Sequence, residues 1–225
     1  MTDTPVSVLL VDDHAVVREG YRRLIERHPP LTIAAEASSG EEAYRRYVEL
    51  APDVVVMDIT LPGASGIQTL QRIVQRDRDA RVLIFTMHRD ATFVEKALES
   101  GALGYVTKSS PPDLLVEAIC AVYHRRQTLS PDVQAELAAL RRAGTTAKNP
   151  LAALSAREFE ILRMLIAAKS REDIADTLHI SVKTVFNIHY QIKSKLGVST
   201  DIELMHAARQ IKLIDRFAEI GLSCG

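Results

Sequence analysis

Five polar side chains stand where apolar runs of the first half of the chain end. "VSVLLVDD" closes on Asp12 and Asp13, "DVVVMD" on Asp58, "RVLIFT" on Thr86 and "GYVTK" on Lys108. A charge at the end of a buried run is costly unless something compensates it. Three carboxylates brought together repel unless they share a cation. A small, hard cation such as Mg²⁺, which retains waters, suits one or two carboxylates plus a phosphate. Lys108 and Thr86 would add the ammonium and the hydroxyl donor that a phosphoryl group needs. The five residues together therefore spell phosphoryl chemistry on a carboxylate. Asp58 alone leaves a second reading open, because an aspartate at a strand end is also a turn former or cap.

Elements that would bring these residues together can be read from the pattern. Strand signals at "VSVLLVDD", "LTIAAEAS", "DVVVMD", "RVLIFTM" and "GYVTK" alternate with helical stretches over 16–28, 41–50, 66–76, 91–100 and about 111–123. Strongly apolar strands of this kind suit a parallel sheet covered on both faces. The expected fold is α/β, a doubly wound five-stranded parallel sheet, flavodoxin-like, of order 2-1-3-4-5. In that order the connections reverse between the first and third strands, where ligands collect. Asp12, Asp13 and Asp58 would flank that crevice.

The second half has another character. "QTLSPDVQAELAALRRAGTTAKNP" carries one short helical stretch and then a Gly, Thr, Lys and Pro-rich break, which reads as a connector. Beyond Pro150 the signals are all helical. Ser155 and Glu158 have capping-box spacing, and Leu154 and Phe159 that of a hydrophobic staple. Helices follow over 170–178, 182–196 and about 200–215. Only "HIS" separates the first two of these, which signals a helix-turn-helix. A small all-α four-helix domain results. The expected boundaries are 1–124, a connector over 125–150, and 151–225.

In the helix over 182–196, Val185, Ile188, Ile192 and Leu196 form one apolar stripe. Lys183, Asn187, Tyr190 and Ser194 collect opposite, with Phe186 at the edge and Lys193 and Lys195 flanking. Three lysines and no acidic residue lie between Asp176 and Asp201. This local basic face could hold DNA phosphates, and Asn187 could pair with adenine. A helical bundle with a solvated lysine face is the alternative.

Composition adds bounds. Hydrophobic residues are 47% and charged residues 25% of the chain, as in an ordinary globular protein. No run approaches the ~20 apolar residues of a membrane helix, and no signal-peptide pattern opens the chain. Cys120 and Cys224 share no short spacing, so no disulfide framework or zinc site is expected and a reducing cytoplasm fits. His14 and His88 have no second His or Cys at metal spacing and are set aside as ligands. The formal net charge of −1 means that any nucleic-acid surface must be local.

The motifs "VDDH", "MDITLPGASG", "FTMH" and "GYVTK" resemble the receiver domain of two-component response regulators. The resemblance implies that Asp58 accepts a phosphoryl group from a sensor histidine kinase. It implies that Asp12, Asp13, Asp58 and the Ile59 carbonyl hold Mg²⁺. Thr86 and Lys108 would contact the phosphoryl group, and Thr86 and Tyr105 would switch. The stretch "LSAREFEILRMLIAAKSREDIADTLHISVKTVFNIHYQIKSKLGV" resembles the LuxR-type helix-turn-helix of the NarL/FixJ subfamily. That resemblance implies phosphate contacts by Ser181, Lys183 and Thr184; Lys193 and Lys195 join the DNA-binding set from their place flanking the outer face. Phe186, Asn187 and Tyr190 would face bases. Leu204, Met205, Ala208, Ile211 and Ile214 would form a homodimer contact on activation. The sequence departs from the usual pattern at Phe186, where a polar or basic residue is commoner, and at Ile188, where many members carry histidine.

The function so implied is a transcription factor with promoter DNA, a kinase and RNA polymerase as partners, and no membrane. It is not a turnover enzyme, though the acyl phosphate would hydrolyse slowly. Thr60 and His88 lie two residues beyond Asp58 and Thr86, where they can border the attacking water. The enzyme alternative, an aspartate-nucleophile phosphohydrolase, typically has two aspartates two residues apart after the first strand. Here Asp12 and Asp13 are adjacent and the candidate nucleophile follows the third strand.

Overall fold

A computed structural model describes residues 5–62, 64–142 and 153–210. The chain divides into two compact units, 1–144 and 145–225.

The first unit is a parallel sheet of six strands in the order β2-β1-β3-β4-β5-β6. They are β1 (Val6–Val11), β2 (Leu31–Ala37), β3 (Val54–Met57), β4 (Val82–Thr86), β5 (Gly104–Thr107) and β6 (Thr128–Leu129). The helices between them are α1 (Ala15–Glu26), α2 (Gly40–Leu50), α3 (Gly66–Arg76), α4 (Ala91–Glu99) and α5 (Pro112–Tyr123). Every residue of β3, β4 and β5 is buried, as strands covered on both faces require. At the sheet edge, β2 is partly exposed. Alternate side chains of the strands serve the two faces. Val8, Leu10, Val54, Val56, Leu83, Phe85 and Val106 form a core with Ile25 of α1 and Leu115, Ile119 and Val122 of α5. Leu9, Val55, Met57, Ile84 and Tyr105 are buried toward the opposite face. Truncating a side chain such as Leu83 to alanine should cost ~2–5 kcal/mol.

The sequence reading stopped the sheet at five strands and gave 125–150 to a connector. The structure instead adds β6 beside β5, and the short helical stretch expected in that segment forms α6 (Pro131–Arg142) within the first unit. A two-residue strand has no periodicity to read. Its place is fixed by tertiary bonds, Thr128 N to Leu103 O at 3.2 Å and Ser130 N to Tyr105 O at 3.0 Å. Thr107 Oγ1 then donates to Asp132 Oδ2 at 2.7 Å, and Val133 and Leu137 are buried.

The second unit contains α7 (Ala156–Ile166), α8 (Arg171–Leu178), α9 (Val182–Leu196) and α10 (Asp201–Gln210). Ser155 and Glu158 form the expected capping box, and Leu154 and Phe159 are both buried. Ser181 caps α9 by accepting from Thr184 N, and Gly197 ends it in the left-handed conformation at φ 68°. The last helix is described as far as Gln210, so its expected end near Asp215, with Ile211 and Ile214, lies outside the described residues.

Candidate functional site

Parallel strands place all their carboxyl ends on one rim, and β1 lies between β2 and β3. That is the reversal point of the connections, and Asp12, Asp13 and Asp58 sit on it. Asp58 is 4% exposed and Asp12 2% exposed. Lys108 reaches across from the end of β5 and donates to Asp12 Oδ2 and Asp58 Oδ2, both at 2.5 Å. From β4 the Thr86 hydroxyl bonds the Asp58 carboxylate, and Thr60 N donates to Asp58 Oδ1 at 3.2 Å. Five residues from four strand ends thus meet in one crevice.

Its charges do not balance. Burial pushes the Asp58 carboxyl up, against the pull of Lys108 and Thr86. Burial also opposes the Lys108 ammonium, but Asp58 and Asp12 overcome it and raise its pKa. Asp58 is raised chiefly by its burial, whereas Lys108 is raised because it alone faces two carboxylates. A further cation would relieve the excess.

Asp13 Oδ1 is buried without a hydrogen bond. His14 Nδ1 lies 2.8 Å from it and 3.4 Å from Asp12 Oδ1, but out of hydrogen-bond alignment with the Asp13 oxygen. Asp12, Asp13 and His14 form a cluster whose ligand atoms lie within 4.8 Å of one another, a size that could hold a metal ion. His14, set aside from the sequence, therefore borders the candidate metal site. Residue spacing missed it because the chain turn after β1, not a second histidine, supplies its neighbours. The Ile59 carbonyl accepts from Gly66 N at 2.8 Å and keeps one lone pair. A Cβ at Gly66 would stand 1.8 Å from the Asp58 carbonyl oxygen, so only glycine lets α3 start so close to the acidic crevice.

Around the pocket, Thr60 Oγ1 and His88 Nε2 meet at 2.8 Å, and the His88 ring stacks on Phe93 at 4.5 Å. Tyr105 is fully buried and its hydroxyl donates to the His88 carbonyl at 2.7 Å. Tyr105 is therefore tied to the loop that follows Thr86 at the end of β4.

In the second unit, α9 buries Val185, His189 and Ile192, with Ile188 and Leu196 half-buried. His189 was absent from the expected stripe, although at 100° per residue it lies about 40° from Val185, beside Leu196. Its polar type hid it. His189 Nε2 faces Asp201 Oδ1 at 3.1 Å, and burial holds its pKa below the usual value, against the pull of Asp201. Asp201 also binds Lys193 Nζ at 3.0 Å and faces Arg171 at 3.6 Å.

The outer face of α9 carries Lys183, Phe186, Asn187 and Tyr190, all exposed. Two of the expected phosphate grips are otherwise engaged. Lys195 Nζ binds Glu158 Oε2 at 2.6 Å, and Lys193 is held by Asp201. The Ser181 and Thr184 hydroxyls bond each other at 2.8 Å in the cap.

The expected dimer contact needs correction at Leu204, which is 3% exposed and packs inside its own unit. An α10 that covers α9 must turn one apolar residue inward. Met205 is exposed, and Ile202, passed over in the sequence, is 72% exposed. The Ala208 side chain and Ile211 lie outside the described residues.

Residues 8–120 match the model of the response regulator receiver domain, and 152–208 that of bacterial regulatory proteins, luxR family. The chain is 34% identical over 203 residues to the response regulator UvrY of Escherichia coli (strain K12), covering 90% of this chain and 93% of that one. It is 33% identical over 213 residues to the response regulator GacA of Pseudomonas viridiflava, covering 95% and 100%. A crystal structure of a two-component response regulator, LuxR family, from Aurantimonas sp. superposes with a TM-score of 0.60 at 54% identity, covering 61% of this chain and 99% of that one. With the receiver pocket on a parallel sheet and a helix-turn-helix later in the sequence, the chain belongs to the two-component response regulators of the NarL/FixJ type, transcription regulators with a receiver domain and a LuxR-type DNA-binding domain.

Proposed function

We propose that Asp58 is the phosphoacceptor and that its phosphorylation controls promoter binding through α9. The supporting observation is the meeting of Lys108, Thr86 and Asp12 around one buried carboxylate. An Asp58 oxygen attacks the phosphorus of a phosphohistidine on a sensor kinase. The P–N bond breaks, its electrons go to the imidazole, and an acyl phosphate forms on Asp58. Lys108 leaves its carboxylates to neutralise the new phosphoryl oxygens, and the Thr86 hydroxyl donates to one of them.

Asp12, Asp13, Asp58 and the Ile59 carbonyl would hold Mg²⁺. The buried Asp13 oxygen that lacks a hydrogen bond, and three carboxylates around one ammonium, fit such an ion. When bound, Mg²⁺ supplies charge neutralisation for the transferred group. Movement of Thr86 frees the loop at His88, and with it the carbonyl that holds Tyr105. The receiver is thereby biased toward a second packing. To shift it from 1:99 to 99:1 the phosphoryl group must favour that packing by ~5.5 kcal/mol.

On DNA, the N-terminus of α9 and Lys183 hold phosphates while Phe186, Asn187 and Tyr190 face base edges. Lys193 and Lys195 join only by exchanging a carboxylate for a phosphate. Pairing of two copies uses the exposed Ile202 and Met205 of α10. The protein works in the cytoplasm, where RNA polymerase is its partner at the promoter. Among the described residues no helix is long and apolar enough to cross a membrane.

The test is incubation with acetyl phosphate and Mg²⁺ followed by intact mass. Wild type should gain one hydroxylamine-labile phosphoryl group and Asp58→Asn none. Equal labelling of both would overturn the assignment.

A further inference from the structure

The face of α9 turned away from its domain presents two aromatics one turn apart. Phe186 is 52% exposed and Tyr190 is 74% exposed. Lone exposed hydrophobes are ordinary on a protein surface. Phe186 differs because it is held. The guanidinium of Arg171, at the first position of α8, lies 4.4 Å from the centre of its ring. Arg171 is itself fixed from behind, with Asp201 at 3.6 Å and His189 Nδ1 at 3.5 Å. One face of the ring is thus covered by a cation, and the half-exposed remainder has a set direction. Such a stack is attractive and removes rotamer freedom before any ligand arrives.

A phenyl ring has no hydrogen-bonding group and cannot read the nitrogen and oxygen edges of bases. The major groove offers it one apolar feature, the C5 methyl of thymine. The surroundings suit DNA better than an apolar protein surface. Lys183 stands one turn before Phe186 on the outer face, Arg171 lies on the ring, and α9 contains no carboxylate. We infer that Phe186 is a specificity residue that reads a thymine methyl group in the major groove, with Arg171 as its positioning residue. This rests on the proposal that α9 binds DNA.

The experiment uses the full chain, treated with acetyl phosphate and Mg²⁺. Its preferred site is first selected from random duplexes. Each thymine of that site is then replaced singly by deoxyuridine, which keeps every hydrogen-bonding group and removes only the methyl. At one thymine in each half-site the replacement should weaken binding about fourfold, the equivalent of one buried CH₂-sized group at ~0.8 kcal/mol. Phe186→Ala should bind the thymine and uracil duplexes equally at that position and keep its preferences elsewhere. Phe186→Leu, still apolar, should recover part of the discrimination.

Arg171→Ala should shrink the thymine-to-uracil ratio and Arg171→Lys retain it. A mere phosphate contact would lower both affinities alike and leave the ratio unchanged. Insensitivity of every thymine to methyl loss would overturn the inference, as would undiminished sensitivity in Phe186→Ala. The same holds if Phe186→Ala abolished transcription while its ratio matched wild type, which would mark a protein contact. Failure to select any DNA would overturn the DNA-binding proposal itself and is distinguishable from these results.

Discussion

The rim of the receiver sheet and the outer face of α9 use charge in opposite ways. At the rim Asp12 and Asp58 are buried and share one ammonium, so each charge depends on the others. On α9, Lys183, Asn187 and Tyr190 stand exposed, and Lys193 and Lys195 are already tied to carboxylates of α10 and α7. A buried cluster is coupled, and removing one member leaves another uncompensated. An exposed face is modular, so its members should act nearly independently. The difference separates a switch from a reader.

The largest effect is expected at Lys108. Lys108→Ala leaves Asp12 and Asp58 without their shared cation and should destabilise the receiver by roughly 3 kcal/mol. Millimolar Mg²⁺ should restore much of this, whereas phosphoryl-dependent DNA binding should stay lost. Denaturant titration with and without Mg²⁺ measures it. No loss of stability would show the cluster to be uncoupled and erase the contrast with α9.

On the reader, anchoring and reading should separate. Asn187→Ala should lose ~1–3 kcal/mol against the preferred site and relax preference at one base position. Lys183→Ala should weaken specific and random duplexes alike and lower the salt slope by about one unit. Salt titrations against both duplexes decide, and the opposite pairing of effects would show that the helix docks on another face.

A smaller effect belongs to the Thr60 and His88 pair beside the pocket. Thr60→Ala or His88→Ala should change the acyl-phosphate half-life severalfold while leaving phosphoryl uptake nearly intact. Unchanged half-lives in both would remove these residues from the path of water.

The smallest effect is a pH dependence confined to the helical unit. The neutral form of His189 is favoured by burial, so its folded pKa lies below the unfolded value near 6.5. Below that pH the unfolded chain binds the proton first, and stability falls as pH falls. Replacement of His189 by glutamine should flatten the slope between about pH 6.5 and the lower folded pKa. An equal slope in wild type and variant would mean that the pairing with Asp201 cancels the effect of burial, and a slope that steepens in the variant would mean that the pairing outweighs it.

The same contrast explains what could be read from the sequence. Val54–Met57 followed by Asp58 admits few structures, because a carboxylate after four buried residues needs partners, and the other strand ends provide them. The order of the first five strands and the meeting of Asp12, Asp58, Thr86 and Lys108 were legible for that reason. β6 was not, since Thr128 and Leu129 are placed by Leu103 and Tyr105 rather than by local pattern. His189 was passed over because residue type overrode its position on the wheel, and the ion pairs of Lys193 and Lys195 arise from residues distant in sequence. Leu204 shows the limit for a helix with apolar residues on two sides: the type alone does not say which side faces inward.

Coupling between switch and reader is tested most directly by the affinity of the full chain for its selected duplex. Wild type and Asp58→Asn would each be titrated with and without acetyl phosphate and Mg²⁺. Wild type should bind more tightly after phosphorylation, within the ~5–150-fold range typical of coupled sites, and Asp58→Asn should show no change. An equal response of both proteins, or none from a fully phosphorylated wild type, would contradict control of α9 by Asp58.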